Sequence, residues 1–285
     1  MEKIAIVIDS TSYLTDEEKE RYNIKTVYLN VVIGNKPYRE IIDMSVENYY
    51  NYLADETNEI PTTSQPVIGD VVATFEKLKK EGYTDVIAIG LSSGISGTYA
   101  SYSVADLMVN GINIHPFDSE VSAQAEGFYA IKAGKLIEEN KTAKEIIKQL
   151  EEMKKLSKAY FLVDRLSHLQ RSGRLSTGQA VAGSLLKVKP ILHFDDKIIV
   201  PYQKIRTYKK AIARIYELFD EFYNENKNKN INVCVLHVND DIKADEIKSY
   251  LENNYPNIKI KKDYIGPVIS THLGLGAVAV GWTII

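Results

Sequence analysis

Apolar runs alternate with amphipathic stretches through the first half of the chain. Ile4 to Ile8 is a continuous, largely β-branched run that reads as a buried strand. It ends in Asp9-Ser10-Thr11-Ser12, and Thr15 followed by Glu18 forms a capping box for a short helix. Val27 to Ile33 reads as a second strand. Pro66 opens an amphipathic helix that runs to Lys80, with Gly82 in the stop position. Val86 to Leu91 is a third buried strand and Thr98 to Val109 the helix after it. Ile112 to Phe117 is a fourth strand, followed by a helix from about Ser122 to Glu139. This βαβα order predicts a mostly parallel sheet with helices on both faces.

Thr142 to Lys155 is a charged helix with apolar positions at Ile146, Ile147, Leu150 and Met153, and it leads into a strand at Ala159 to Val163. The pattern changes here, which places a domain boundary between residues 1–157 and 158–285. The second part mixes strands (190–194, 198–202, 231–238, 258–264, 276–284) with helices near 207–226 and 241–253, and so reads as α+β. The strands at 190–194 and 198–202 form a hairpin joined around Asp195-Asp196-Lys197. Asn224 to Asn230 is a solvated loop.

Composition narrows the function. The 285 residues suit one large α/β domain or two modest ones, and 45% hydrophobic with 26% charged residues is ordinary for a globular protein. A net charge of −3 argues against a nucleic-acid binder, which carries a clustered basic excess. The single cysteine, Cys234, excludes an internal disulfide framework and reads as an inert thiol in an apolar run. The start of the chain is too short and too soon acidic for a signal peptide, and no apolar run reaches a membrane-spanning length, so a cytoplasmic location is expected. The five histidines show no metal-ligand spacing, and no metal or cofactor is expected.

Three distant segments concentrate hydroxyl residues, glycine or histidine: Ile60 to Pro66, Leu91 to Thr98, and Gly266 to Gly274. Brought together, they would form a pocket of neutral donors free of Lys, Arg, Asp and Glu, suited to a small anionic head group. Each also has a plainer reading. Ser92 to Gly97 follows a strand and precedes a helix, where ligands bind in open α/β sheets, but Ser and Gly are equally favoured there as a turn and cap. It lacks the Gly-Lys-Ser/Thr ending of a nucleotide loop. The plainer reading of Thr63 or Ser64 is a cap for the following helix, although Thr-Thr-Ser-Gln between two prolines supplies more polar groups than a cap needs. His272 is either a satisfied structural histidine or a ligand. Gly274-x-Gly276-x-x-Ala279 matches a dinucleotide fingerprint only formally, since nine residues after Gly276 leave no room for its helix and second strand. Leu169 to Leu175 carries Arg171 and Arg174 around a glycine turn, either a solvated loop or a fork for an acidic or phosphorylated partner.

Taken together these residues resemble the DegV family of bacterial fatty-acid-binding proteins, most closely the lipid-carrying subunit of fatty acid kinase. The resemblance covers nearly the whole chain. It runs through Asp9-Ser10-Thr11-Ser12-Tyr13-Leu14, Pro61-Thr62-Thr63-Ser64-Gln65-Pro66, Leu91-Ser92-Ser93-Gly94-Ile95-Ser96-Gly97, Phe117-Asp118-Ser119, Gly173-Arg174, Lys189-Pro190-Ile191-Leu192 and His272-Leu273-Gly274. It implies a two-domain α/β fold with one long-chain fatty acid buried between the domains. It further implies that Thr63 and Ser93 hold the carboxylate, that His272 completes the cluster, and that Thr62 and Ser96 are neighbours. Arg174 and Arg206 match positions that face a separate kinase. This chain has Ser270 and Leu275 where the family often has Gly and Pro, and Asp196 replaces a hairpin glycine; these departures bear on the tail pocket.

The implied function is a non-enzymatic carrier that presents a fatty acid for phosphorylation to an acyl phosphate. Two alternatives remain at this stage. One is a binding module for another small anion, such as a sugar phosphate. The other is a hydrolase using Ser93 or Ser96 with His272, for which the chain supplies neither a Gly-x-Ser-x-Gly elbow nor an identifiable acid.

Overall fold

The computed structural model describes residues 2–176 and 188–285. The first apolar run forms β1 (Ile4–Asp9), which joins β2 (Ile24–Val27), β6 (Asp85–Gly90) and β7 (Asn113–Asp118) in a sheet of order β2-β1-β6-β7. All its pairings are parallel. Alternate side chains leave on opposite faces. Ile6, Ile8, Ile87 and Ile89 pack in one core with α5 (Gln124–Glu138) and α6 (Ala143–Lys154). Val7, Val86 and Ala88 pack in another with α3 (Ile68–Lys80) and α4 (Thr98–Met108). Burial on both faces is why these strands read as continuous apolar runs. The capping box at Thr15 and Glu18 opens α1 (Asp16–Arg21) as expected.

The strand expected over Val27 to Ile33 is two strands in different sheets. β2 stops at Val27, and β3 (Asn30–Ile33) lies between β4 (Lys36–Arg39) and β5 (Thr62–Ser64) in a small antiparallel sheet. The break falls at Leu29. Its N–H donates to Ser10 Oγ at 3.1 Å and not to a strand, while its carbonyl accepts from Glu40 N at 2.9 Å, one residue on in the β3–β4 register. The Thr62–Ser64 run is therefore strand and not a helix cap: α3 starts two residues after Pro66, and its N-cap, Val67, makes no side-chain cap bond. The helix α2 (Val46–Ala54), unforeseen from the pattern, connects β4 to β5.

The later strands build a six-stranded sheet of order β10-β9-β8-β13-β11-β12. They are β8 (Lys158–Leu162), β9 (Ile191–Asp195), β10 (Ile198–Gln203), β11 (Ile231–His237), β12 (Lys259–Tyr264) and β13 (Val278–Ile284). Only β11–β12 pair in parallel. The predicted hairpin forms, with Asp196 and Lys197 both at positive φ in its two-residue turn. α7 (Ser167–Arg171) follows β8, while α8 (Tyr208–Asn226) and α9 (Asp241–Asn254) cover the outer face. There Tyr160, Val233, Val235, Val280 and Trp282 pack with Ile215, Phe219, Ile247 and Leu251. The opposite face presents Ala159, Phe161, Cys234, Leu236, Ala279 and Gly281 toward the first half of the chain, where α5 contacts β11 and β13. A final helix, α10 (Pro267–Leu273), contacts α2, β3, β5 and α7. Among the described residues, no helix is long and apolar enough to cross a membrane.

Candidate ligand-binding site

Between the parallel sheet and the inner face of the six-stranded sheet lies a cavity of about 340 Å³, within the usual range for a small-molecule pocket. Its apolar wall combines Leu91 and Ile95 from the loop after β6, the six inner-face residues just named, Phe194 and Ile199 from the hairpin, and Val268, Ile269 and Leu273 from α10. The sheet register puts Ala159, Gly281 and Cys234 side by side on adjacent strands. Three small residues in one row leave depth that larger side chains would fill. A Cβ on Gly281 would stand 3.0 Å from Cys234 Sγ and 3.5 Å from Ala125 Cβ. The Cys234 thiol is buried, and its pKa is pushed up to about 12 by that burial, so it remains a neutral wall group.

Polar groups converge on the same cavity. β5 brings Thr63 opposite α10, where Thr63 Oγ1 and His272 Nε2 are 2.8 Å apart. Burial first, and then the charge of Arg174, push the His272 pKa down to about 3. The imidazole is therefore neutral at physiological pH, and its enclosed Nδ1 makes no hydrogen bond to the described residues. Ser96 and Gly97 line the wall at the start of α4, and Ser96 Oγ is 2.9 Å from Thr98 Oγ1. Gln65 also lines the cavity; it donates to Ser101 Oγ at 2.8 Å and crosses over Gly97, where a Cβ would meet its Oε1 at 1.7 Å. Arg174 lies on the wall as well, its Nε donating to Ile95 O at 3.2 Å and its Nη1 to Ser172 O at 2.6 Å. The expectation of a pocket without charged residues is thus corrected: among the described residues, Arg174 is a charged lining residue and the others are neutral.

The predicted residues divide. Thr63, Ser96 and His272 line the cavity, whereas Thr62 is exposed and outside the lining. Ser93 is exposed and outside the lining; its hydroxyl donates to Asp118 Oδ2 at 2.5 Å and its N–H to Asp118 Oδ1 at 3.1 Å. Arg174 is a wall residue, and Arg206 is exposed immediately before the Thr207 cap of α8. Gln65 and Ser122 line the wall without having been singled out. Gln65 was within reach of sequence reasoning, as part of the polar run between prolines. Among the described residues no group of three or more His, Cys, Asp or Glu is placed to hold a metal.

The family model described as "Uncharacterised protein, DegV family" matches residues 3–284. The chain belongs to the DegV family. "Protein DegV" of Bacillus subtilis is 51% identical over 280 residues, covering 98% of each chain. The crystal structure of DegV from Bacillus subtilis, described as a fatty acid binding protein, superposes with a TM-score of 0.94 at 50% identity, covering 100% of both chains. A fatty acid binding DegV family protein of Streptococcus agalactiae gives a TM-score of 0.91 at 29% identity, again over 100% of both chains. This chain thus shares the DegV α/β fold.

Proposed function

We propose that this chain binds one long-chain fatty acid, with its tail in the cavity between the sheets and its carboxylate among Thr63, Ser96 and His272. The observation that carries this reading is the 2.8 Å contact between Thr63 and His272 on a wall that is otherwise mostly apolar. The relatives described as fatty acid binding proteins support it. A tail of about fifteen methylenes contributes roughly 12 kcal/mol at about 0.8 kcal/mol each, before the costs of binding. Affinity then comes mostly from the tail, and the polar groups fix which end lies where. Hydroxyl donors and the Arg174 charge offset the desolvation of the carboxylate. In this reading Ser96 takes the place that the family resemblance gives to Ser93.

The bound acid is a substrate for a separate kinase. A carboxylate oxygen attacks the γ-phosphorus of ATP held by that kinase, giving an acyl phosphate and ADP, with Arg206 and the solvent side of Arg174 turned toward the partner. A carrier fits the geometry better than a hydrolase. His272 contacts a threonine, its Nδ1 has no carboxylate partner among the described residues, and Ser93 is engaged by Asp118.

Mass spectrometry of lipid released from the purified, denatured protein tests the reading. One equivalent of fatty acid is expected, with weaker retention in T63A and H272A. Recovery of a sugar phosphate, or of no acid from protein expressed in fatty-acid-replete cells, would overturn it. Incubation with kinase and ATP tests transfer; absence of acyl phosphate there defeats the donor role alone.

A further inference from the structure

Helix α10 carries His272, yet it has no side-chain cap of its own: Gly266 is its N-cap and Pro267 follows. The carboxylate that meets its first turn comes from Glu40, more than two hundred residues earlier. Glu40 is 1% exposed, and its Oε1 accepts from Val268 N at 2.9 Å and lies 3.4 Å from Tyr13 Oη. Its Oε2 accepts from Ser10 Oγ at 2.6 Å. The approach is close enough to require glycine at 266, where a Cβ would stand 2.6 Å from Tyr13 Cε1 and 2.8 Å from Glu40 Oε1. Val268 and His272 are one turn apart on the same helix face, and both line the cavity. A shift of the first turn therefore carries the imidazole with it.

We propose that Glu40 is the positioning residue of the head-group site, its carboxylate fixing α10 and so setting where His272 stands against Thr63. The proposal rests on the reading of Thr63 and His272 as the fatty-acid head-group site. The ionised carboxylate suits this task, because it accepts all three hydrogen bonds and faces the positive end of a helix. The protonated acid has one fewer acceptor oxygen for the same donors. Burial raises the Glu40 pKa to about 7, and the nearby acid Asp9 on β1 adds to the shift. Glu126 of α5 and the phenols of Tyr13, Tyr49 and Tyr264 also face it electrostatically, and no cation pairs with it among the described residues. Ligand affinity should accordingly weaken as pH falls through neutrality. His272, held near 3, does not titrate in that window.

The test is displacement of bound cis-parinaric acid by palmitate at about pH 6, 7 and 8 for wild type, E40Q, S10A and T63A. Wild type should bind about tenfold more tightly at the upper pH, and E40Q should bind at the weaker level throughout. S10A removes one donor to the carboxylate, so the midpoint of its affinity profile should move to higher pH. T63A should be weaker at every pH while keeping the wild-type slope. An E40Q profile with the wild-type slope and affinity overturns the proposal, whatever its effect on melting. If E40Q does not fold, an unmoved S10A midpoint overturns it equally. T63A binding like wild type would instead defeat the head-group assignment, independently of Glu40.

Discussion

Ser92 Oγ donates a 2.6 Å hydrogen bond to the main-chain carbonyl of Lys197, at the turn of the hairpin between β9 and β10. The same turn is tied a second time, because Lys197 Nζ lies 3.2 Å from Asp118 Oδ2, the oxygen that also accepts from Ser93. Ser92 directly, and Ser93 through Asp118, thus seat the hairpin of the second sheet on the loop of the first; of the two, Ser93 is the one the sequence suggested as a ligand hydroxyl. Ile95 from that loop and Phe194 and Ile199 from that hairpin all line the cavity.

Gly94 is the residue on which this seat depends. A Cβ there would come within 2.3 Å of Lys197 O and 3.0 Å of Ile198 Cγ2, and the first obstacle is backbone that cannot rotate aside. G94A should lower stability by about 1–3 kcal/mol, as overpacking does, and should speed fatty-acid release in stopped-flow displacement. Unchanged release and urea midpoint would show that the seat is not under strain.

Removing the imidazole should matter more for orientation than for tail burial. H272A is expected to weaken palmitate retention by about 1–3 kcal/mol, the range for losing a buried hydrogen-bonding partner, with an unaltered circular dichroism spectrum. R174E brings a negative charge to the cavity wall and should weaken binding further. Titration calorimetry of both variants decides the matter, and retention equal to wild type in each would remove them from the site.

In the proposed binding mode, the row of small residues Ala159, Gly281 and Cys234 limits how deep the tail reaches. G281V would place a branched side chain against Cys234 and Ala125 and into the cavity. Competition between acyl chains of different length should then shift toward shorter chains, each excluded methylene being worth about 0.8 kcal/mol. An unchanged preference order would place the end of the tail elsewhere.

Glu126 is buried, and its pKa is held well above the ordinary carboxylate value, first by desolvation and then by the neighbouring Asp9. Because its folded pKa lies above the unfolded one, its contribution is fully present below the unfolded value of 4.5 and is lost as pH rises toward the folded value. Glutamine mimics the protonated form at every pH. Urea unfolding should therefore show E126Q gaining on wild type as pH rises above the unfolded value; a constant difference between the two would refute the raised pKa.

Much of this fold is legible in one dimension because burial on two faces or on one leaves a pattern. Runs such as Ile4 to Ile8 and Val86 to Ile89 announce parallel strands, and the capping box at Thr15 announces α1. Other elements leave no periodic trace. Val268, Ile269 and Thr271 are β-branched, and α10 is helical because Glu40, Tyr49 and β5 hold it from outside; Thr271 Oγ1 is 2.5 Å from Tyr49 Oη. Thr62 to Ser64 resembles a helix cap until β3 pairs with it. Ser93 and Ser96 are chemically alike, and only the course of the turn between them sends one to Asp118 and the other to the cavity wall.

Thr63 and His272 are 209 residues apart in the chain. A contact of that span carries a large loop-closure cost and closes only after the elements that deliver its partners have formed. In the proposed reading, the lipid site therefore exists only in the finished fold, with β5 and α10 both in place.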